Sequence, residues 1–285
     1  GHTRGSLTCV ACSLQVRRRY FRHVSRKDHG EGSWCRPCRE SGGWRDDDGC
    51  RGSIVIPPAA ERKRIVVLPE IEACLFDFDG CLADSSRPIL AAMNTTLASR
   101  GLAPINEAEM FPYVGPPLLG SMVEILGDRG ADPSLAAEVV DDYRAEFEAI
   151  ALGMAATFPG VPELLERLSG LVRLAVVTSK PAVYAGPVLD RLGFTEYFEF
   201  VEGASLAETE QKPETLARGL RRLGSDFEPC RAVMVGDRRF DIESAIANGI
   251  ASIGVTRGFG TRAELEGAGA TLVVDQPSEL AEAVL

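Results

Sequence analysis

The 285-residue chain predicts an α/β protein, a doubly wound parallel sheet interrupted after its first strand by helices and preceded by a small cysteine-rich segment. Three observations carry this reading. A short apolar run, Cys74, Leu75 and Phe76, ends in two carboxylates and a glycine turn, DFDG. From Ser85 to about Ala156 only helical spacing follows, and beyond Phe158 apolar strands alternate with amphipathic helices. Strands separated by helices of this kind build parallel sheets with right-handed crossovers.

The segment before that sheet differs from it in kind. Residues 1–64 carry 14 Lys and Arg against 7 Asp and Glu, whereas the remaining residues carry 17 against 34. A basic arm on an acidic body predicts a module with its own partner, and the acidic body argues against nucleic acid as the main substrate. Residues 1–40 hold two pairs, Cys9 with Cys12 and Cys35 with Cys38, separated by 22 residues. A two-residue spacer lets one tight knuckle place both sulfurs on one ion, so the four cysteines predict a tetrahedral zinc site, with His23 or His29 as substitutes for a cysteine. Arg17 to Arg22, RRRYFR, would then form a basic and aromatic surface for nucleic acid or an acidic protein. Residues 41–64, rich in Gly, Asp and Pro, read as a linker, and the body begins near Ile65. Cys74, Cys81 and Cys230 are scattered and read as reduced core residues. No apolar run reaches the ~18 residues of a membrane span and no signal-peptide profile opens the chain, which together predict a cytoplasmic protein.

The body is expected as a core of residues 65–84 and 157–285 enclosing a helical cap of residues 85–156. In the cap, Ile89, Leu90, Met93 and Leu97 fall at helical spacing up to Gly101. Proline and glycine then punctuate FPYVGPPLLGSM before a helix to Leu126, and Asp132-Pro133 opens another through Val139, Tyr143 and Phe147. After the cap come LVRLAVVTS as a buried strand, a helix from Pro181 to Leu192, and YFEFVEG as a strand. A helix from Pro213 to Leu223, the strand RAVMVGD, a helix from Asp241 to Ala247 and the strand ASIGVTRG follow. Thr261 with Glu264 predicts a capping box, and TLVVD a last strand before a terminal helix.

In an open parallel sheet the chemistry lies beyond the carboxyl ends of the strands. Those ends deliver Asp77 and Asp79, then Thr178 and Ser179, then Lys212 in the loop after the third strand, then Asp237 with Asp241 one helical turn on. Each alone has a structural explanation as a cap or turn former; four together at four strand ends point to one site. The residue types suit phosphoryl transfer. Carboxylates at Asp77, Asp79 and Asp237 supply hard oxygens for magnesium, while the lysine and a hydroxyl neutralise phosphate oxygens. One aspartate attacks and a second acid protonates the leaving alcohol, then activates water.

With these motifs in order, the chain resembles the phosphatase branch of the haloacid dehalogenase superfamily, with a Rossmann-like core, over residues 71–285. The resemblance makes Asp77 the nucleophile and Asp79 the acid and base, with the Asp79 main-chain carbonyl on the metal. It makes Thr178 the phosphate-binding hydroxyl, Lys212 the phosphate-neutralising cation, Asp237 a magnesium ligand and Asp241 its supporting acid. YVGPPL and GDRRFDIESAIANGI are similar to the phosphoglycolate phosphatase-like subgroup, which implies a small phosphorylated metabolite as substrate, with a nucleotidase or phosphotransferase as alternatives. A further alternative is a zinc-module binding protein that uses the body as scaffold. Tyr113, Pro116 and Pro117 are expected to face the site from the cap. The first motif departs from the family by ending in Cys81 where threonine is usual, and the cysteine-rich arm lies outside the family pattern.

Overall fold

In the computed structural model of the protein, residues 43–45, 51–53, 68, 70–206 and 210–285 are described. The four cysteines of the zinc reading, His23, His29 and the stretch Arg17 to Arg22 lie outside them. The chain divides into two units, Gly1–Arg64 and Ile65–Leu285. Inside the segment read as a linker, Gly43–Arg45 pairs antiparallel with Arg51–Ser53.

The second unit is built on six parallel strands: β1 (Ala73–Phe76), β2 (Arg173–Thr178), β3 (Val201–Gly203), β4 (Ala232–Gly236), β5 (Ala251–Val255) and β6 (Leu272–Val274). Their spatial order is β3-β2-β1-β4-β5-β6. The chain therefore winds outward from β1 in one direction, returns, and winds outward from β4 in the other. The reversal puts a topological switch point between β1 and β4, where parallel sheets open a crevice.

Alternation along the strands explains why both sheet faces are dry. Cys74, Phe76, Leu174, Val176, Val233 and Val235 pack into one apolar cluster, and Ala73, Leu75, Ala175, Val177, Ala232 and Met234 into a second on the opposite face. A strand buried on both faces needs apolar residues at every position, which is why these read as unbroken apolar runs.

The helices of the insertion are α1 (Ser86–Ser99), the single turn α2 (Glu107–Met110), α3 (Leu118–Asp128) and α4 (Ala136–Ala151). Ile89, Met93 and Leu97 of α1, Met122 and Ile125 of α3, and Val139, Tyr143 and Phe147 of α4 are buried in the first cluster. The two chain crossings into the insertion are fastened together. Ala83 bridges antiparallel to Thr157, the Asp84 amide donates to the Ala156 carbonyl (3.1 Å), and the Thr157 hydroxyl donates to the Leu82 carbonyl (2.6 Å).

The remaining helices are α5 (Val161–Leu168), α6 (Ala182–Leu192), α7 (Lys212–Arg222), α8 (Arg239–Ala247), α9 (Arg262–Gly267) and α10 (Pro277–Val284). Three expectations are corrected. Only Val201–Gly203 of YFEFVEG is strand, because Thr195–Tyr197 closes a 3-10 turn first. The helices expected from Pro213 and Asp241 start earlier, at Lys212 and Arg239, so Lys212 and Asp241 both lie in first helical turns. Thr261 caps α9 through the Glu264 amide (3.1 Å), but the reciprocal half of the box is missing because Glu264 Oε1 accepts from Arg238 Nε and the Arg239 amide. Among the described residues no helix is long and apolar enough to cross a membrane.

Candidate active site

Asp77 follows β1 directly, and its amide still donates to the Val235 carbonyl of β4 (2.8 Å), so the sheet ladder fixes its backbone. Asp237 follows β4 in the same way. The two carboxylates therefore face each other across the switch point. Asp241, in the first turn of α8, completes the group: oxygens of Asp77, Asp237 and Asp241 lie within 4.8 Å of one another, all three residues buried. The Asp241 carboxylate is oriented by the Arg238 amide (2.9 Å), and the Asp237 carboxylate by the Phe259 amide (2.7 Å).

Lys212 enters this group from the amino end of α7. Its ammonium lies 2.8 Å from Asp77 Oδ1 and also pairs with Asp241, and its side chain is only 4% exposed. One buried cation against three buried carboxylates leaves an excess of negative charge. Burial raises the Asp77 carboxyl to about 6, with Lys212 pulling it down and Asp241 and Asp79 adding repulsion. Burial, then Asp241 and Asp77, pushes Asp237 well above the carboxylate range. On Lys212, burial opposes the charge, but Asp241 and Asp77 outweigh it and the shift is upward. Asp237 Oδ1 is buried with no hydrogen-bond partner. An unsatisfied oxygen in a dense carboxylate group is the signature of a hard divalent cation site.

The carboxylates can approach so closely because glycines surround them. A Cβ on Gly80, whose φ is +81°, would sit 2.2 Å from Asp237 Oδ2, and a Cβ on Gly258 would sit equally near the same oxygen. Side chains at either position would displace the acid.

Asp79 stands apart from the three-carboxylate group. Its Oδ2 lies 3.0 Å from the ammonium of Lys180, which also stands 4.2 Å over the Phe147 ring. Of the four acids expected to serve a metal, the side chains of Asp77, Asp237 and Asp241 are grouped, while the Asp79 side chain pairs with Lys180 and leaves its main-chain carbonyl as the expected contribution. Thr178, at the end of β2, is 1% exposed, and its hydroxyl oxygen accepts from the Lys180 amide (3.2 Å). A cavity opens over Asp77, Asp79, Thr178 and Ser179, with Tyr113 and Pro116 in its wall; Pro117 instead lines a neighbouring cleft with Lys212 and Ser179. Cys81 is buried, and its thiol reaches the Val235 carbonyl at 3.7 Å, a longer version of the hydrogen bond a hydroxyl would make there. Cys74 is likewise a buried free thiol, whereas Cys230 is free but exposed, so it is not the core residue the sequence predicts.

Two residues escaped the sequence reading. Lys180 follows TS directly and had no signal beyond its place at a strand end. Arg238 lies inside GDRRFD, between the two aspartates that carry the motif. Its guanidinium donates from Nε to Glu264 (2.9 Å) and from Nη1 to the carbonyls of Phe111 (2.8 Å) and Val114, fastening the insertion to the loop that carries Asp237.

Three outcomes are expected. Asp237→Asn keeps an oxygen for the Phe259 amide and removes the cost of either ionising or protonating this crowded acid, so metal-free protein should gain melting temperature. Relief of about 1 kcal/mol corresponds to roughly 2–4 °C in a domain of this size. The increase that added divalent cation produces should shrink in the same scan. Because folded Asp77 titrates near 6 and an unfolded aspartate near 3.8, the folded state holds the extra proton in that interval. Metal-free stability should therefore carry a component that falls as pH rises from about 4 to about 6. Urea unfolding of wild type and Asp77→Asn at both ends isolates it, and a pH-independent difference would refute it. Arg238→Ala should cost about 1–3 kcal/mol and speed amide exchange in residues 111–115. Arg238→Lys should restore little, since lysine lacks the fork that serves Glu264 and two carbonyls together.

Residues 74–255 match the model of the haloacid dehalogenase-like hydrolase family. A 5'-nucleotidase of Pseudomonas aeruginosa is 37% identical over 193 residues, covering 67% of this chain and 85% of that protein. A phosphoglycolate phosphatase of Agrobacterium fabrum is 32% identical over 197 residues, 65% of this chain and 80% of that one. The solved structure of protein tyrosine kinase A (PtkA) from Mycobacterium tuberculosis superimposes with a TM-score of 0.63 at 32% identity, covering 75% of this chain and 98% of that one. With its parallel core and four strand-end motifs, the chain belongs to the haloacid dehalogenase-like hydrolase family and is an enzyme of that family.

Proposed function

We propose that the protein is a magnesium-dependent phosphomonoesterase that hydrolyses a small phosphorylated metabolite through an aspartyl-phosphate intermediate. The observation that carries this reading is the ion pair of Lys212 with Asp77 at the switch point, beside Thr178 and the separately held Asp79. A phosphate placed against Asp77 meets one ammonium, one hydroxyl and one acid on the far side. That is the complement a phosphoryl transfer requires.

In the first step an oxygen of Asp77 bonds to phosphorus and the bond from phosphorus to the ester oxygen breaks. Asp79 gives its proton to the departing alkoxide, so the alcohol leaves neutral. In the second step Asp79, now a carboxylate, takes a proton from water as the water oxygen attacks the phosphorus. The acyl phosphate bond breaks, and Asp77 is regenerated with inorganic phosphate. Lys212 and the Thr178 hydroxyl hold the peripheral phosphate oxygens throughout. Asp77, Asp237 and the Asp79 carbonyl would hold magnesium with Asp241 in support, and the ion, when bound, neutralises phosphate charge in the carboxylate-lined site. The insertion acts as a cap over the strand ends, and its separation of the reaction from bulk water sets how readily water serves as acceptor.

Transfer to another hydroxyl acceptor uses the same first step. The relationship to PtkA supports this second reading, and the relationships to the 5'-nucleotidase and the phosphoglycolate phosphatase support hydrolysis.

Phosphate release from small esters should require magnesium. Asp77→Asn should lower kcat by roughly 10³-fold or more, as removal of a covalent nucleophile does. A folded Asp77→Asn protein that hydrolyses esters at the wild-type rate would eliminate the covalent mechanism. Loss of phosphate from substrate with stoichiometric appearance of a second phosphate ester would replace hydrolysis by transfer.

A further inference from the structure

Resting on the phosphomonoesterase reading, we infer that the alcohol part of the substrate carries an uncharged planar ring, housed between the strand ends and the insertion. The cavity opens over Asp77 and Asp79 and is closed on its far side by residues of the insertion. Its wall away from the carboxylates is apolar and aromatic, with Met93, Ile125, Tyr113, Tyr143, Phe147 and Tyr184. Tyr143 and Phe147 lie with ring centroids 6.0 Å apart and planes inclined by 30°, a tilted pair inside this wall. The Tyr113 hydroxyl is held by Asp128 (3.2 Å), a residue that lines a separate outer groove with it.

The cations of the cavity decide against an acidic alcohol. A second anionic group on the substrate, such as the carboxylate of a hydroxy acid, needs a positive partner when it leaves water. Three cations line the cavity, Lys180, Arg144 and Arg238, and each is engaged within the protein. Lys180 is seated over Phe147 and pairs with Asp79 whenever that acid is ionised. Arg238 serves Glu264 and the carbonyls of Phe111 and Val114. Arg144 donates to the Leu206 carbonyl (3.0 Å) and lies 3.6 Å from Asp141. A carboxylate would have to strip one of these cations from its partner and would leave most of the apolar wall facing water. A flat uncharged ring disturbs none of these pairs and covers the aromatic wall, where ring contacts add to area burial. An aryl group and a nucleobase share this chemistry.

Specificity constants of the full-length protein with magnesium test the inference on four esters: benzyl phosphate, a nucleoside 5'-monophosphate, 2-phosphoglycolate and glycerol 1-phosphate. Benzyl rather than phenyl phosphate keeps the leaving alcohol nearly as basic as the others, so the comparison reads binding and not leaving-group strength. At least one ring ester should exceed both ringless esters by roughly tenfold or more, as one well-placed ring contact provides. The better of the two identifies the source of the ring. The preference should fall by several-fold in both Phe147→Leu, which keeps bulk without a ring, and Phe147→Ala. Equal or faster turnover of 2-phosphoglycolate, or an unchanged preference in both folded variants, would overturn the ring assignment and leave the phosphomonoesterase intact. Thermal stabilisation by benzylphosphonate against phosphonoacetate reads the same site without turnover. Absence of turnover on all four esters with stronger stabilisation by benzylphosphonate would overturn the esterase and keep the ring site, and stronger stabilisation by phosphonoacetate would overturn the ring site.

Discussion

Three carboxylates and one ammonium share a dry volume at the end of β1 and β4, and much of the rest of the unit serves to hold them there. Unit charges a few ångströms apart interact by several kcal/mol even at an effective dielectric constant near 20. Left alone, Asp77, Asp237 and Asp241 would separate or take up protons. Lys212 opposes both outcomes by pairing with Asp77 and Asp241, yet a single cation leaves the group short of positive charge. The shortfall is what the proposed magnesium would relieve. It also makes the site a burden on the metal-free fold, the usual relation between a pre-organised polar centre and stability.

The sheet carries this burden by geometry. Because the chain reverses direction of winding between β1 and β4, the ends of two neighbouring central strands open on the same crevice, and each delivers an aspartate to it. The ladder bond from the Asp77 amide to Val235 ties one acid to the strand that carries the other. Backbone amides do the remaining orientation, from Phe259 to Asp237 and from Arg238 to Asp241. These contacts leave side-chain oxygens facing the crevice. Gly80 and Gly258 contribute by what they lack, since any Cβ there would occupy the volume of the Asp237 carboxylate.

What was legible in the sequence follows from this arrangement. Asp77, Thr178, Lys212, Asp237 and Asp241 each stand at a strand end or helix start, positions that local pattern reveals, and the topology of parallel sheets brings such positions together without further information. Lys180 and Arg238 also stand at such ends, but what they do depends on residues far along the chain. Lys180 meets Phe147 of the insertion, and Arg238 meets the carbonyls of Phe111 and Val114 more than a hundred residues away. Backbone carbonyls have no sequence signature, so no pattern could have named those partners. The overlong third strand failed for the opposite reason. YFEFVEG is rich in the aromatic residues that strands favour, but a 3-10 turn at Thr195–Tyr197, with Tyr197 beside the Phe194 ring, takes up its first residue.

The charged floor and the apolar roof of the cavity are built from separate parts of the chain, and this separation explains why the reaction is easier to read than the substrate. Every carboxylate of the floor comes from the core, where spacing along strands fixes it. The roof comes largely from α1, α3, α4 and the turn between α2 and α3, whose side chains face each other only after the insertion has packed. Exchanging Met93 or Ile125 for another apolar residue alters the shape of the roof without touching a carboxylate of the floor. Arg238 is where the two systems meet: its amide orients Asp241, while its guanidinium holds the 111–114 segment. One residue thus registers the roof against the floor, so that in the proposed reaction the phosphate and alcohol positions would be set relative to each other rather than independently.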